Sequence, residues 1–480
     1  MADARRIVVV GGGIAGLSAA HAALKRGREA GKAVAVTVLD RAARLGGNVV
    51  TERDGGFVLD AGPDSWVVTK PHATALAKEL GLGGALMSTN PDNRRYYVVW
   101  GDRLHPVPEG LVLGVPTKIG PLVRTDLFSW PGKLRMGWER FVPPRRYVGD
   151  EDEAIGEFAA RRLGREAAER LVAPLLGGIS GGDASDISVR ASFPMLVDME
   201  QKHGSLVKGM LEARKARARA AGAGAGAGAK RGNGEGSAFV SLRGGVGELT
   251  SALIERLTRD GATLRPGTGA LAIERAGDAW RVRLEGGETL EADGIVLAVP
   301  GRTSARLLGD LDATLTEELA SIAYGSTATV FLGYRRADVS HPLDGVGFVV
   351  PRTAGRPILA GTWVSSKWDG RAPEGHVLLR AFFPGAALAE SNGALVALAR
   401  REQKVLMGFD AEPVLARVFR FPEASAQMHV GHLAKMRRIR EALGRVAPGV
   451  RVAGGGYDGV GIPDCVRQGT EVGAALVDGA

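Results

Sequence analysis

The chain has a single cysteine, Cys465, in 480 residues, which excludes an intrachain disulfide and fits a reducing compartment. No apolar run reaches the ~18 residues that a spanning helix needs. The first strand starts within a few residues of Met1, so we expect no secretory signal. The expected location is the cytoplasm, with a peripheral place at the cytoplasmic membrane face kept open. Aromatic residues make up only 5% of the chain. It has no aromatic-and-basic RNA motif, zinc spacing or helix-turn-helix signature, so nucleic acid ranks last among partners. Lys and Arg nevertheless exceed Asp and Glu by nine, which favours an acidic small molecule or an anionic membrane surface. There is no evident Ser-His-Asp set, carboxylate pair or metal cluster. His429 and His432 lack a third ligand of matching spacing, and we expect no metal.

What is abundant is glycine, 70 residues, about twice the usual share. Ile7-Val8-Val9-Val10 reads as a buried parallel strand. Gly11, Gly13 and Gly16 follow in Gly-x-Gly-x-x-Gly spacing, and residues 17–25 read as a helix. Such a turn lets a pyrophosphate approach bare backbone and meet a helix N-terminus. A second strand, residues 34–39, ends at Asp40, whose carboxylate is placed to accept from ribose hydroxyls. The acid disfavours a 2′-phosphate, so FAD or NAD is expected over NADP. Arg44 and the pair Gly46-Gly47 then close the second strand.

Along the chain, residues 1–87 read as the first part of a nucleotide-binding domain and 88–219 as largely helical. Residues 220–236 form an Ala/Gly-rich linker or loop. Residues 237–305 return to the nucleotide domain, 306–435 carry the alternation of an antiparallel sheet, and 436–480 form a third nucleotide-domain piece. In that last piece Gly454-Gly455-Gly456 and Gly459-Val460-Gly461-Ile462 place bare backbone where a planar ligand can lie close.

Gly11–Gly16, Asp40, Arg44 and Gly46-Gly47 resemble the opening of the amine-oxidase-like flavoproteins, although glutamate is the commoner residue at the Asp40 place. Further blocks occur in one order: Gly62-Pro63-Asp64-Ser65-Trp66, Pro106-Val107-Pro108, Pro131–Arg135, Gly177–Asp183, Ser192–Leu196 and Gly459–Cys465. Together they resemble the oxygen-dependent protoporphyrinogen oxidase family, which includes the bacterial coproporphyrinogen oxidases. The likeness covers nearly the whole chain apart from the Ala/Gly insertion.

The resemblance implies an α/β fold. A discontinuous, Rossmann-like FAD-binding domain would carry an inserted antiparallel-sheet substrate domain and a helical domain able to associate with a membrane. The cofactor is FAD, held by Gly11, Gly13, Gly16, Asp40, Arg44, Gly46, Gly47, Gly62, Pro63, Asp64, Ser65, Gly454, Gly459, Val460, Gly461 and Ile462. The implied activity is oxidation of protoporphyrinogen IX to protoporphyrin IX in haem biosynthesis, with coproporphyrinogen III as the alternative substrate. Hydride passes to the flavin in three two-electron rounds, and dioxygen is the acceptor. Aromatisation drives the reaction, so no catalytic side chain is expected beyond positioning and a dry flavin face.

Alignment along the sheet gives Val349, Trp363 and Phe383 as apolar plates for the macrocycle, with Gly182 also at the substrate; ordinary sheet core is their other reading. The family's propionate-binding arginine falls on Tyr96 in strict register, one residue from Arg95, which serves if the register shifts. Partners expected are the porphyrinogen and dioxygen, with a homodimer and an anionic membrane surface as further options. Leu134, Trp138, Phe141 and Val142 share a helical face beside Lys133, Arg135 and Arg140. A core-facing helix is the first expectation there, and an interfacial helix on anionic lipid the second. Cys465 reads as a small buried residue and not a covalent flavin link. A flavin amine oxidase or desaturase stays open as a second enzyme reading, with Tyr457 as one aromatic at the flavin. A flavin-free escort of the GDP-dissociation-inhibitor type is the third, against which the intact glycines argue.

Overall fold

The computed structural model describes residues 4–177, 182–223 and 237–479. Four β-branched or aliphatic strands of the nucleotide-type core gather around the first one. The resulting five-stranded sheet runs in the order Thr263–Pro266, Val34–Asp40, Arg5–Val10, Gly294–Leu297, Val450–Val452. All four pairings are parallel, with Ile7 beside Val36 on one side and Gly294 on the other. The strands come from three widely separated stretches of chain. Both faces are covered, as a parallel sheet requires. One packs on helices Ile14–Ala30, Gly247–Arg259 and Ile462–Asp478; the other packs on a three-stranded antiparallel sheet spanning 270–292 and on helices Gly301–Leu308 and His432–Val446.

The first and last helices lie backbone to backbone. A Cβ on Gly469 would fall 2.2 Å from Ala15 O, and one on Gly473 2.2 Å from Ala19 O. The matching steps of four show that the two helices run parallel, so their N-termini open at the same end.

The second sheet has seven strands, ordered Leu415–Gln427, Ala323–Arg335, His376–Pro384, Ala360–Trp363, Gly345–Val349, Arg95–Trp100, Arg103–Pro106. It is antiparallel except where Gly345–Val349 runs parallel to Arg95–Trp100. Two of its strands therefore come from the stretch expected to be largely helical. Helix Asn392–Met407 covers its back face. The front face meets the hairpin Thr51–Asp60 of the nucleotide domain at one end and the helical segment at the other.

Within the helical segment a buried ionic cluster sets orientation. Arg162 and Glu139 pair with neither exposed, and Arg162 also reaches Glu200. Glu139 accepts from Ser205 Oγ at 2.5 Å and Leu206 N at 2.8 Å, capping helix Leu206–Ala223. Holding Glu139 inward turns its neighbours outward. Trp130, Leu134, Trp138 and Phe141 are 61–71% exposed, so the core-facing expectation for this helix is corrected. Helix Leu206–Ala223 also takes in the first four residues of the expected 220–236 linker. Residues 224–236, and residues 178–181 of the Gly177–Asp183 block, lie outside the described residues.

Candidate cofactor site and substrate face

The three glycines of the first turn do different work. Gly11 has φ +106°, and a Cβ there would sit 2.3 Å from Ala298 O; on Gly16 it would sit 1.9 Å from Gly11 O. Those two let strand, turn and helix close on each other. Gly13 has room, since its Cβ would meet only Gly47 Cα at 3.9 Å. It caps the first helix with extended backbone and no side-chain cap, leaving first-turn N–H groups for an anion.

Asp40 clamps the same turn. Its Oδ2 accepts from Gly12 N and its Oδ1 from Ala42 N, both at 2.8 Å. Gly46 N donates to Gly12 O at 2.8 Å, which docks the Gly46-Gly47 turn against Gly12-Gly13. Arg44 donates to Leu45 O and Gly47 O at 2.8 and 2.6 Å. Among the described residues no carboxylate lies within 4.0 Å of it, so its charge is available to a phosphate. Beside it opens a cavity of about 450 Å³ lined by Arg44, Thr51, Thr250, Ser251 and Pro266. Thr250 and Ser251 carry no sequence signal of their own.

The second glycine turn is pinned from below by Gln468, whose Oε1 accepts from Gly454 N at 3.2 Å and Asp458 N at 3.3 Å. Gly454 and Gly459 have φ of +127° and +116°. Gly461 caps the last helix, and Asp464 accepts from its N–H while Lys70 Nζ holds Asp464 at 2.7 Å. Val460 stays exposed and Ile462 is buried. Two glycine-capped helix N-termini thus stand side by side, with Gly454 near Ala15. Bare backbone, two helix ends, an arginine with no carboxylate partner among the described residues and an acid-ended strand fit an FAD whose pyrophosphate meets the first turn.

Gly62 closes on the same region, since a Cβ there would lie 2.0 Å from Asn48 O. Asp64 is occupied inward. Its Oδ2 accepts from Lys367 Nζ at 2.7 Å and Trp368 Nε1 at 3.0 Å, and Ser65 Oγ donates to Oδ1 at 2.7 Å. Burial alone would raise the Asp64 carboxyl. Lys367, aided by Trp368 and Arg380, outweighs that and holds it well below the usual carboxylate range. What Gly62 and Pro63 can offer a ligand is therefore backbone.

Strand alternation sorts the substrate candidates. Val349 pairs with Val98 and Ala360, and Ala360 with Phe382, so all four share the front face. Trp363 and Phe383 are 1% and 0% exposed in the core on the back face. Trp363 there lies between Tyr97 and His341, with ring centroids at 5.3 and 4.8 Å. Arg95 also goes to the back, where it and Tyr97 OH bind Asp344 at 2.9 and 2.7 Å. Tyr96 points forward, packed on the helical core. The structure does not bring Arg95, Trp363 and Phe383 to the face that holds Val349. Gly182 is half-buried against Ile187. Its carbonyl accepts from Arg352 Nη2 at 3.4 Å, and Arg352 also pairs with Asp183.

Other candidates settle into structural places. Tyr457 is buried behind the parallel sheet, its OH 2.8 Å from Ser304 Oγ and donating to Val299 O at 3.0 Å. His432 is buried with Nε2 2.7 Å from Tyr457 O. The Cys465 thiol is buried, which pushes it up to about 12 and keeps it protonated. Among the described residues no group of three or more His, Cys, Asp or Glu is placed to hold a metal, and no helix is long and apolar enough to cross a membrane.

Comparison with known proteins extends this geometry to a family. The profile of the flavin containing amine oxidoreductases matches residues 14–477. The coproporphyrinogen III oxidase of Bacillus subtilis (strain 168) is 35% identical over 474 residues, 98% of this chain and 97% of that protein. The chloroplastic protoporphyrinogen oxidase of Oryza sativa subsp. japonica is 30% identical, covering 98% of this chain and 88% of its own. A crystal structure from Exiguobacterium sp. 255-15, of a protein assigned as a protoporphyrinogen oxidase, superposes with a TM-score of 0.84 at 32% identity and 98% coverage of both chains. With a match that runs from the first helix to the last, the chain belongs to the flavin containing amine oxidoreductase family, and FAD is its cofactor.

Proposed function

We propose that the chain oxidises a porphyrinogen to a porphyrin in haem biosynthesis, with dioxygen as the final acceptor. The observation that carries this is end-to-end similarity to porphyrinogen oxidases at 30–36% identity. The bacterial relatives at 35–36% are named coproporphyrinogen III oxidases and the rice protein at 30% a protoporphyrinogen oxidase. On that ordering coproporphyrinogen III is the first substrate to test and protoporphyrinogen IX the second.

When bound, FAD supplies the two-electron acceptor and passes the electrons to dioxygen. The chain's own residues bind and exclude water. Val349 and Phe382 form a flat apolar strip for a greasy macrocycle. Phe382 takes the place that sequence alignment gave to Phe383, because the strand turns Phe382 forward. Arg352, exposed just beyond the strand that ends at Val349, is the proposed partner for acidic side chains of the substrate in place of Arg95. Asp64 stays charged and bonded to Lys367, and the Cys465 thiol stays protonated, so neither competes as a proton carrier. An amine-oxidase reading loses support because the Tyr457 side chain is buried behind the parallel sheet, its OH held by Ser304 and Val299.

The exposed ridge Trp130, Leu134, Trp138 and Phe141, flanked by Lys133, Arg140, Arg145 and Arg146, is proposed to rest on an anionic membrane face. Trp138→Glu should then weaken sedimentation with anionic liposomes, and unchanged binding would remove the proposal. The function itself is tested by mixing FAD-loaded protein aerobically with each porphyrinogen and following porphyrin fluorescence. Emission well above autoxidation, faster with coproporphyrinogen III, is expected. No acceleration with either substrate would overturn the reading.

A further inference from the structure

Arg380 is a buried cation with no carboxylate of its own. It sits on strand His376–Pro384, opposite Phe331 on one side and Thr362 on the other. It is 5% exposed. Nη2 donates to Ala61 O at 2.5 Å, and Nε has no partner. The guanidinium lies 4.2 Å from the Phe382 ring centroid and 5.1 Å from that of Phe331. Among the described residues no carboxylate oxygen comes within 4.0 Å of it.

The two nearest acids are already matched, Asp60 by Arg371 at 3.0 Å and Asp64 by Lys367 at 2.7 Å. Two carboxylates thus face three cations in one buried cluster. Burial lowers the Arg380 guanidinium to about 10, where it is still charged at neutral pH. An uncompensated buried charge is costly and calls for a counter-charge from elsewhere. Its anchor, Ala61 O, immediately precedes the Gly62-Pro63 turn, and Gly62 is in close contact with the Gly46-Gly47-Asn48 turn. The surplus positive charge therefore stands beside the backbone that borders the cofactor site.

We propose that Arg380 is a positioning residue in the electrostatic sense, whose charge offsets the negative charge that the flavin gains on reduction and thereby raises its reduction potential. The balance is simple. A substrate C–H bond breaks and hydride delivers two electrons and one proton to the neutral oxidised cofactor. One negative charge remains until a second proton arrives. Dioxygen later removes the two electrons and, with two protons, leaves as hydrogen peroxide. The inference rests on the flavin, not on which substrate is oxidised.

The test compares FAD-loaded wild type, Arg380→Lys and Arg380→Met without any porphyrinogen. Each is reduced slowly and anaerobically against a reference dye, and each is titrated with sulfite. Arg380→Met should make two-electron reduction at least tenfold less favourable, about 30 mV, and weaken sulfite binding at least tenfold. Arg380→Lys should restore most of both. Should Arg380→Met not fold, Lys367→Gln leaves Asp64 to neutralise Arg380 and should lower the potential in the same direction. An FAD-loaded Arg380→Met with wild-type potential and sulfite affinity overturns the proposal. So does an equal shift in Arg380→Lys and Arg380→Met, or an unchanged potential in Lys367→Gln.

Discussion

The parallel sheet and the seven-stranded sheet present their functional residues in opposite ways. At the parallel sheet, the turns of the candidate cofactor site are backbone, and residue identity there follows from space: no side chain fits at Gly11, Gly16 or the adjoining Gly62. At the seven-stranded sheet, the proposed substrate face is made of side chains, and position alone does not say which of two neighbours belongs to it. Phe382 and Phe383 differ by one residue and by the whole thickness of the sheet. A backbone site is thus readable from composition and spacing, whereas a side-chain face waits on register.

The comparison can be broken first at the glycines. Gly16→Val should abolish recovery of yellow, folded protein, because its Cβ meets Gly11 O at 1.9 Å. Gly13→Ala should fold with a near-normal apo melting temperature yet bind FAD more weakly, because only the ligand's side is open. Equal loss of fold in both variants would erase the distinction between them.

The next contrast lies within one strand. Phe383→Ala should cost about 3–5 kcal/mol of stability, measured by denaturant unfolding, and leave KM unchanged in the folded fraction. Phe382→Ala should raise KM for the porphyrinogen with a smaller loss of stability. The reverse pattern would move the substrate to the back face.

Acid titration sharpens the charge cluster between the sheets. The Asp64 carboxyl is held low in the folded state. Its stabilising contribution is therefore complete above the unfolded value of about 3.9, and is lost as pH falls through that value toward the folded one. Burial raises the Asp60 carboxyl despite Arg371, so its contribution runs the other way. Asp64→Asn should flatten the acid limb of melting temperature against pH, and a steeper limb would contradict the assignment. The smallest effect belongs to Arg95→Ala. This exposed pair with Asp344 is worth about 0–1 kcal/mol, with no change in KM. A large KM increase would mean that Arg95 reaches the substrate after all.

Several parts of the fold were legible for definite reasons. Strand Ile7–Val10 with Gly11, Gly13 and Gly16 imposes one local geometry, and Asp40 ends a strand that pairs beside it. The close crossing of the first and last helices at Gly469 and Gly473 was not read from the sequence, since it shows only where Ala15 and Ala19 face those glycines. The exposed ridge was not legible, because an apolar helical face looks alike whether it meets a core or solvent. Glu139, drawn into Arg162 and Ser205, decided which way it turned. Arg380 gave no signal either: an arginine within an apolar strand reads as an edge, and only its neighbours show that it is buried.

The sequence by itself determined the nucleotide turns, because they depend on backbone conformations that few residue types permit, while its ordered motif blocks carried the resemblance that pointed to the family and to FAD. The tertiary structure alone decided which side chains of the large sheet share a face with Val349, where Arg95 goes and, among the described residues, which buried cation has no carboxylate beside it. Those outcomes depend on strand register and on charges brought together from residues hundreds of positions apart, and no local spacing encodes either.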